Sequence, residues 1–383
     1  MRFALFPSAR SGLARWFAVA AVLAGLSLLA LPAGGATVPA QAAQDPGAVP
    51  GTVHTLTNDP AGNQVLTWTR AADGSLTPAE PVATGGQGSG DGLGSQGAVI
   101  VSADGRYLFA VNAGSNDVSV LAFRPEGLAL VDRVPSGGTR PISITTSGDL
   151  LYVLNAGGSG GIAGFRLQSD GHLTALPGAV RPLSGTMTGP AQVQFTPDGR
   201  LLIVTEKMTN TIDTYVVGSD GVAGMPMAHP SAGQTPFGFA VDSRGRIFVS
   251  EAGPSALSAY AAGADGALTT LTASAVNGQA AACWVVVTED GRFAYTSNAG
   301  TGTISGYVIA DDGTVRLLDA NGRSGVTGAN PTDMALGAGS RYLHALTNET
   351  HAIWSFRIEE NGRLVPVPGA VALPDGVVGL AAR

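Results

Sequence analysis

GRYLFAVNAG (residues 105–114) and GRFAYTSNAG (291–300) are one phrase written twice: a Gly-Arg turn, a β-rich run, then Asn-Ala-Gly. The phrase recurs as GTVHTLTND (51–59), DLLYVLNAG (149–157), GRLLIVTEK (199–207), GRIFVSEAG (245–253) and SRYLHALTNE (340–349), which makes seven copies. A second run follows each copy, for example DVSVLAF, TIDTYVV or AIWSFRI. An X-Gly pair then comes at Gly74, Gly127, Gly171, Gly221, Gly266, Gly313 and Gly362. Such a pair supplies the positive φ that a tight hairpin needs. Units of about 48 residues with four short strands are the signature of propeller blades.

One more apolar run precedes each phrase from the second onward: QGAVIVS (96–102), PISITTS (141–147), PAQVQFT (190–196), FGFAVDS (237–243), ACWVVVT (282–288) and PTDMALG (331–337). A seventh, GVVGLAA (376–382), has no phrase after it, and the phrase at residue 51 has no such run before it. The sequence therefore predicts an all-β, seven-bladed propeller over residues 51–383. Its C-terminal strand enters the N-terminal blade and removes the free edges.

Composition agrees: 55 glycines and only 13% charged residues suit short strands joined by tight turns. The formal charge is −7 and Lys207 is the only lysine, which argues against nucleic acid as a partner and leaves no polybasic stretch for a membrane surface. Cys283 is the only cysteine, so no intrachain disulfide and no thiolate metal cluster can form. Residues 1–15 carry three arginines, 16–33 are apolar, and Ala40-Gln41-Ala42 offers small residues for cleavage. That order predicts a signal peptide over 1–42, a short linker over 43–50, and a secreted or periplasmic protein. An uncleaved membrane anchor is the competing reading.

The segments TNDPAGNQVLTW, GRYLFAVNAGS, PAQVQFTPDGR, FTPDGRLLIVTE, EDGRFAYTSNAG and the closing GVVGLAA resemble the seven-bladed lactonase propellers, which include 6-phosphogluconolactonase and the fungal-type carboxymuconate lactonising enzyme. The resemblance implies a hydrolase of a small lactone, here in an exported branch of the family. Phosphogluconolactonase-type members carry His and Arg at several inner-strand starts, where this chain has Pro190-Ala191-Gln192, Pro236-Phe237-Gly238 and Ala282-Cys283-Trp284. LYVLNAG and AYTSNAG are also similar to the YVTN-type repeats of cell-surface propellers, which implies the alternative of a non-catalytic exported propeller that binds a ligand, glycan or protein.

In this strand order the ends of the phrases and the starts of the inner strands meet at one mouth of the central channel. At the phrase ends stand Asn58, Asn112, Asn155, Glu206, Glu251, Asn298 and Asn348. Asparagine there is ordinary turn chemistry. Glu206 and Glu251 break the pattern on adjacent blades, and a carboxylate near a desolvated mouth can act as a general base. Arg140, before Pro141, is placed to hold a substrate carboxylate or to pair with a glutamate. Gln96, Gln192, Trp284 and Asp333 stand at inner-strand starts as candidate substrate-binding residues. Trp284 fits interblade packing equally. Ester hydrolysis by a base and oxyanion donors needs no cofactor and no metal.

The Gly-rich segment TGGQGSGDGLGSQG (84–97) lacks the Lys-Ser/Thr ending of a phosphate loop and reads as a flexible connection or a flap. Gly157-Gly158-Ser159-Gly160-Gly161 matches G-x-S-x-G only by letters, because it falls in a strand-to-strand turn. The five histidines show no ligand spacing.

Overall fold

The structure, a computed structural model, describes residues 50–383. The predicted signal segment 1–42 and most of the linker lie outside the described residues. Seven antiparallel sheets form the blades, and each runs outward from an innermost strand. Blade 4 shows the plan: Pro190–Phe195 innermost, then Leu201–Glu206, Thr211–Val216 and Met227–Pro230. In blades 1, 6 and 7 the outermost strand is broken into two short pieces, so those sheets count five strands instead of the expected four.

Blade 1 is assembled from both chain ends. Val378–Ala382 pairs antiparallel with Gly51–Leu56, Thr52 and Arg383 exchange backbone hydrogen bonds of 3.0 and 2.9 Å, and Thr55 Oγ1 donates to the carbonyls of Val378 and Gly379. Val377, Val378 and Leu380 are buried by this closure.

Neighbouring blades interlock through the X-Gly turns. Gly362 has φ +84°, and a β-carbon there would lie 2.5 Å from the Phe293 ring of the preceding blade. The Tyr295 hydroxyl donates to the Gly362 carbonyl at 2.7 Å. Gly221 repeats the arrangement against Leu150, with the Tyr152 hydroxyl on its carbonyl. These glycines are thus needed twice, for the turn conformation and for the close approach of the next blade.

The innermost strands pose a separate problem, because their inward edges have no partner strand and their N–H and C=O groups need other partners. Side chains of the adjacent blade cap them. Ser143 Oγ accepts from Val193 N, Gln192 accepts from Phe239 N at 2.7 Å and donates to Phe239 O at 2.9 Å, and Asp333 Oδ2 accepts from Leu380 N at 3.0 Å. Blade 5 has Gly238 at this place and no side chain to offer. Gln96 of blade 2 reaches across the channel instead, donating to Val285 O at 2.7 Å and accepting from Val285 N at 3.1 Å. A β-carbon on Gly238 would sit on Gln96 Oε1, so the glycine makes room for the amide.

Candidate functional site

A channel, a wide cleft and a smaller chamber lie along the propeller axis. The channel itself, about 490 Å³, is walled largely by Val, Ile, Ala and Leu from the innermost strands. A wide cleft of about 900 Å³ opens between blades 2, 3 and 4 where the innermost strands end, and its charges are already paired as Arg106–Asp104 and Arg166–Asp149. At the other mouth, where the innermost strands begin, a chamber of about 270 Å³ lies between Gly92–Ser95, Trp284, Thr332, Asn348 and Val377–Gly379.

The Gly-rich segment roofs this chamber. It is tied down at several points. Ser95 Oγ donates to Ile142 O at 2.8 Å, the Trp284 indole N–H donates to Ser95 O at 2.9 Å, and the Leu93 side chain is buried. Arg140 donates to Gly92 O at 3.3 Å and Lys207 donates to Gly94 O at 2.6 Å. Phe237 packs on Trp284 with ring centres 4.9 Å apart, and the Lys207 ammonium lies 4.5 Å above the Phe237 ring. Burial, with Arg140 nearby as a lesser cause, lowers the Lys207 pKa to about 8. Two of the residues that line the chamber, Thr332 and Asn348, each carry a side-chain oxygen, Oγ1 and Oδ1, that is buried without a hydrogen-bond partner.

Arg140 has φ +53°, an uncommon value for a side-chain-bearing residue. Gly189, Thr235, Ala281 and Asn330 show the same conformation just before the innermost strands of blades 4 to 7, so it belongs to the repeat. Only the side chain is particular to Arg140.

The two glutamates sit deeper than the sequence suggested. Pro190 pairs with Glu206 and Pro236 with Glu251, so both occupy the expected end of the blade. Neither is solvent-exposed, and the hydrogen bonds of both run to neighbouring loops and strands, with none from Arg140. Glu206 accepts from Ser184 N, Ser184 Oγ and Thr209 Oγ1, at 3.0, 2.5 and 2.6 Å. Asp213, facing it from the next strand, also accepts from Ser184 N at 3.0 Å. Burial first, and then its hydrogen bond to Glu206, pushes the Asp213 pKa up to about 8. Glu251 accepts from Ser231 Oγ at 2.6 Å, its Oε2 has no partner, and burial pushes its pKa up to about 6.

The matching asparagines show what this position does. Asn112 donates to Ser119 Oγ and Asn298 to Ser305 Oγ, each tying the second strand to the third. Blade 4 has Glu206 and Asp213 in those two places, and blade 5 has Glu251 and Ser258. In blade 7 the matching residue is Thr347, paired with Ala352, so the expected Asn348 falls one place beyond it and lines the chamber.

Of the candidate substrate-binding residues, Trp284 lines the chamber. The polar atoms of Gln96, Gln192 and Asp333 hold backbone groups of other blades. Asp333 is fully buried, and its carboxyl is pushed well above the usual range, chiefly by burial. Lys207 escaped sequence reasoning, although its being the only lysine was a usable signal. Cys283 is buried with its thiol pushed up to about 12 by burial, and His54 and His344 are buried with pKa values lowered to about 3, again by burial first. Among the described residues no three His, Cys, Asp or Glu side chains converge as a metal site, and no helix is long and apolar enough to cross a membrane.

The fold recurs in solved structures of low identity. A protein of Bacteroides fragilis, provisionally assigned as a 6-phosphogluconolactonase, superposes with a TM-score of 0.69 at 21% identity over 87% of this chain and 98% of its own. The periplasmic gluconolactonase PpgL of Pseudomonas aeruginosa gives 0.68 at 18% identity over 87% and 99%, and a protein from Lactobacillus plantarum gives 0.71 at 17% over 87% and 99%. No protein of curated function matches the sequence. The family model for lactonases of the seven-bladed β-propeller type matches residues 61–182 and 264–379, more than half of the sequence, and the chain belongs to that family.

Proposed function

We propose that the protein is an exported lactonase that opens a small lactone at the mouth roofed by the Gly-rich segment. Membership of the lactonase family carries this reading. The chamber supports it, since about 270 Å³ holds little more than one small ring and its two unpartnered oxygens suit substrate hydroxyl donors.

In the reaction, a base takes a proton from water as the water adds to the lactone carbonyl, and the base then returns that proton to the ring oxygen as the ring C–O bond breaks and the hydroxy acid leaves. Arg140 orients the substrate's polar edge, and Trp284 supplies an apolar wall. Glu251 suits the base better than Glu206. A pKa of about 6 leaves it ionised at neutral pH, and its Oε2 accepts no hydrogen bond, whereas both oxygens of Glu206 are taken. Ser231–Gly233 cover Glu251 and must shift for it to act.

The test is acid release from five- and six-membered sugar lactones by the purified protein. Glu251→Gln should lower turnover about 10²- to 10⁴-fold if the residue is the base. Export is checked by the intact mass of protein recovered outside the cytoplasm, with loss of residues 1–42 expected. The second reading, a propeller that binds without reacting, is favoured by chamber walls that carry no acid or histidine. Saturable ligand binding with no turnover of any lactone would establish it.

A further inference from the structure

The chain's only lysine and Arg140 converge on carbonyl oxygens two residues apart in the same strip of backbone, Gly92 O and Gly94 O, and Lys207 also donates to Pro190 O at 3.1 Å, outside that strip. Both cations are half-buried, and neither has a carboxylate within ion-pairing distance among the described residues. In a protein of net charge −7, two adjacent cations satisfied only by neutral carbonyls are an unmatched anion site. A charge-assisted bond to a carboxylate is roughly twice as strong as one to a neutral acceptor. A ligand carboxylate can therefore take both cations from the backbone that now holds them.

We propose that Gly92–Ser95 is a lid and that its latch, Lys207 with Arg140, is a binding site for a small hydroxycarboxylate whose binding releases the lid. The carboxylate replaces Gly92 O and Gly94 O as acceptor. The hydroxyl groups then have Thr332 Oγ1 and Asn348 Oδ1 to donate to in the chamber beneath. The lid suits release: Gly92 and Gly94 carry no side chains to anchor it, and what remains is Leu93, Ser95 Oγ on Ile142 O and the Trp284 indole on Ser95 O. The Phe237–Trp284 pair forms an apolar floor under Lys207 that strengthens its electrostatics by excluding water. The assignment rests on the lactonase reading in its choice of ligand, a hydroxy acid being that reaction's product, but its readouts need no turnover, so the two can fail separately.

Gluconate is a suitable probe, with sorbitol as the uncharged control and sodium chloride at equal ionic strength as the screening control. Calorimetric titration and amide hydrogen exchange at residues 92–96 are the two readouts. Saturable gluconate binding with faster exchange at 92–96, and neither effect with sorbitol or chloride, is the expected result. Lys207→Gln should weaken binding about tenfold or more, the loss of one charged hydrogen bond, while Lys207→Arg should retain it, and both should melt near the parent temperature. Equal binding by Lys207→Gln would overturn the proposal, as would equal opening by chloride or binding with no change in exchange at 92–96. If Lys207→Gln does not fold, the comparison of gluconate, sorbitol and chloride on the parent decides by the same criteria.

Discussion

Replacing Asp213 by Ser should stabilise the protein progressively more, relative to the parent, as pH rises from 4 to 8. Asp213 and Glu206 are two buried carboxyl groups sharing one backbone N–H, in the places that hold Asn and Ser in blades 2 and 6. Asp213 keeps its proton up to about pH 8, against about 4 in an unfolded chain. Well below pH 4 both states are protonated and nothing is lost, and at pH 4 the unfolded carboxyl is about half ionised. As pH rises, the unfolded state ionises while the folded state holds its proton, so stability falls by up to about 1.4 kcal/mol per unit and levels off near pH 8. Asp213→Ser removes the cost, and Ser184 N keeps its bond to Glu206. The assay is urea denaturation of parent and variant at each pH from 4 to 8. Other groups add slopes of their own: Glu251 in the same direction up to about pH 6, and His54 and His344 in the opposite one between about 3 and 6.5. The difference between parent and variant isolates Asp213. A difference that stays constant across this range would refute the reasoning.

Gln192→Ala should cost about 1–3 kcal/mol for each of Phe239 N and O left unpaired, without changing ligand affinity at the mouth; denaturation midpoints and titrations check both. Gly238→Ala should destabilise the parent strongly, and a Gln96→Ala background should relieve only part of that cost, because the added methyl meets the Gln96 amide oxygen at 2.2 Å and also the Cys283 backbone carbonyl at 2.8 Å; a double-mutant cycle measures the coupled part. Deleting residues 378–383 removes the buried Val378 and Leu380 and opens two strand edges, a loss of about 4 kcal/mol from the burial of these two side chains alone, read as a lower melting temperature for the whole propeller.

The fold was legible because each blade must punctuate its strands with the same turns. The repeats gave the number of blades, and the orphan GVVGLAA gave the closure. The candidate site was less legible for a reason specific to propellers. The innermost strands leave unpaired edges, and the polar residues at their starts are consumed in capping those edges: Gln192 on Phe239, Asp333 on Leu380 and Gln96 on Val285 across the channel. Nothing in a single strand's sequence distinguishes a capping glutamine from a ligand-binding one. Likewise, Glu206 and Glu251 stood out by letter, but only coordinates show that Ser184 and Ser231 close over them. The alignment by letters also slipped by one residue in blade 7, where Thr347 takes the place assigned to Asn348 and so frees Asn348 for the chamber.

The most direct test of the account compares the two ends of the channel in one lactone-hydrolysis assay. Arg140→Gln and Thr332→Val alter the roofed chamber, while Arg166→Gln and Gln194→Ala alter the wider cleft at the opposite face. Loss of turnover or a raised KM in the first pair, with parent-like kinetics in the second, is the predicted result. The reverse pattern would place the chemistry at the open cleft and contradict the assignment of the chamber.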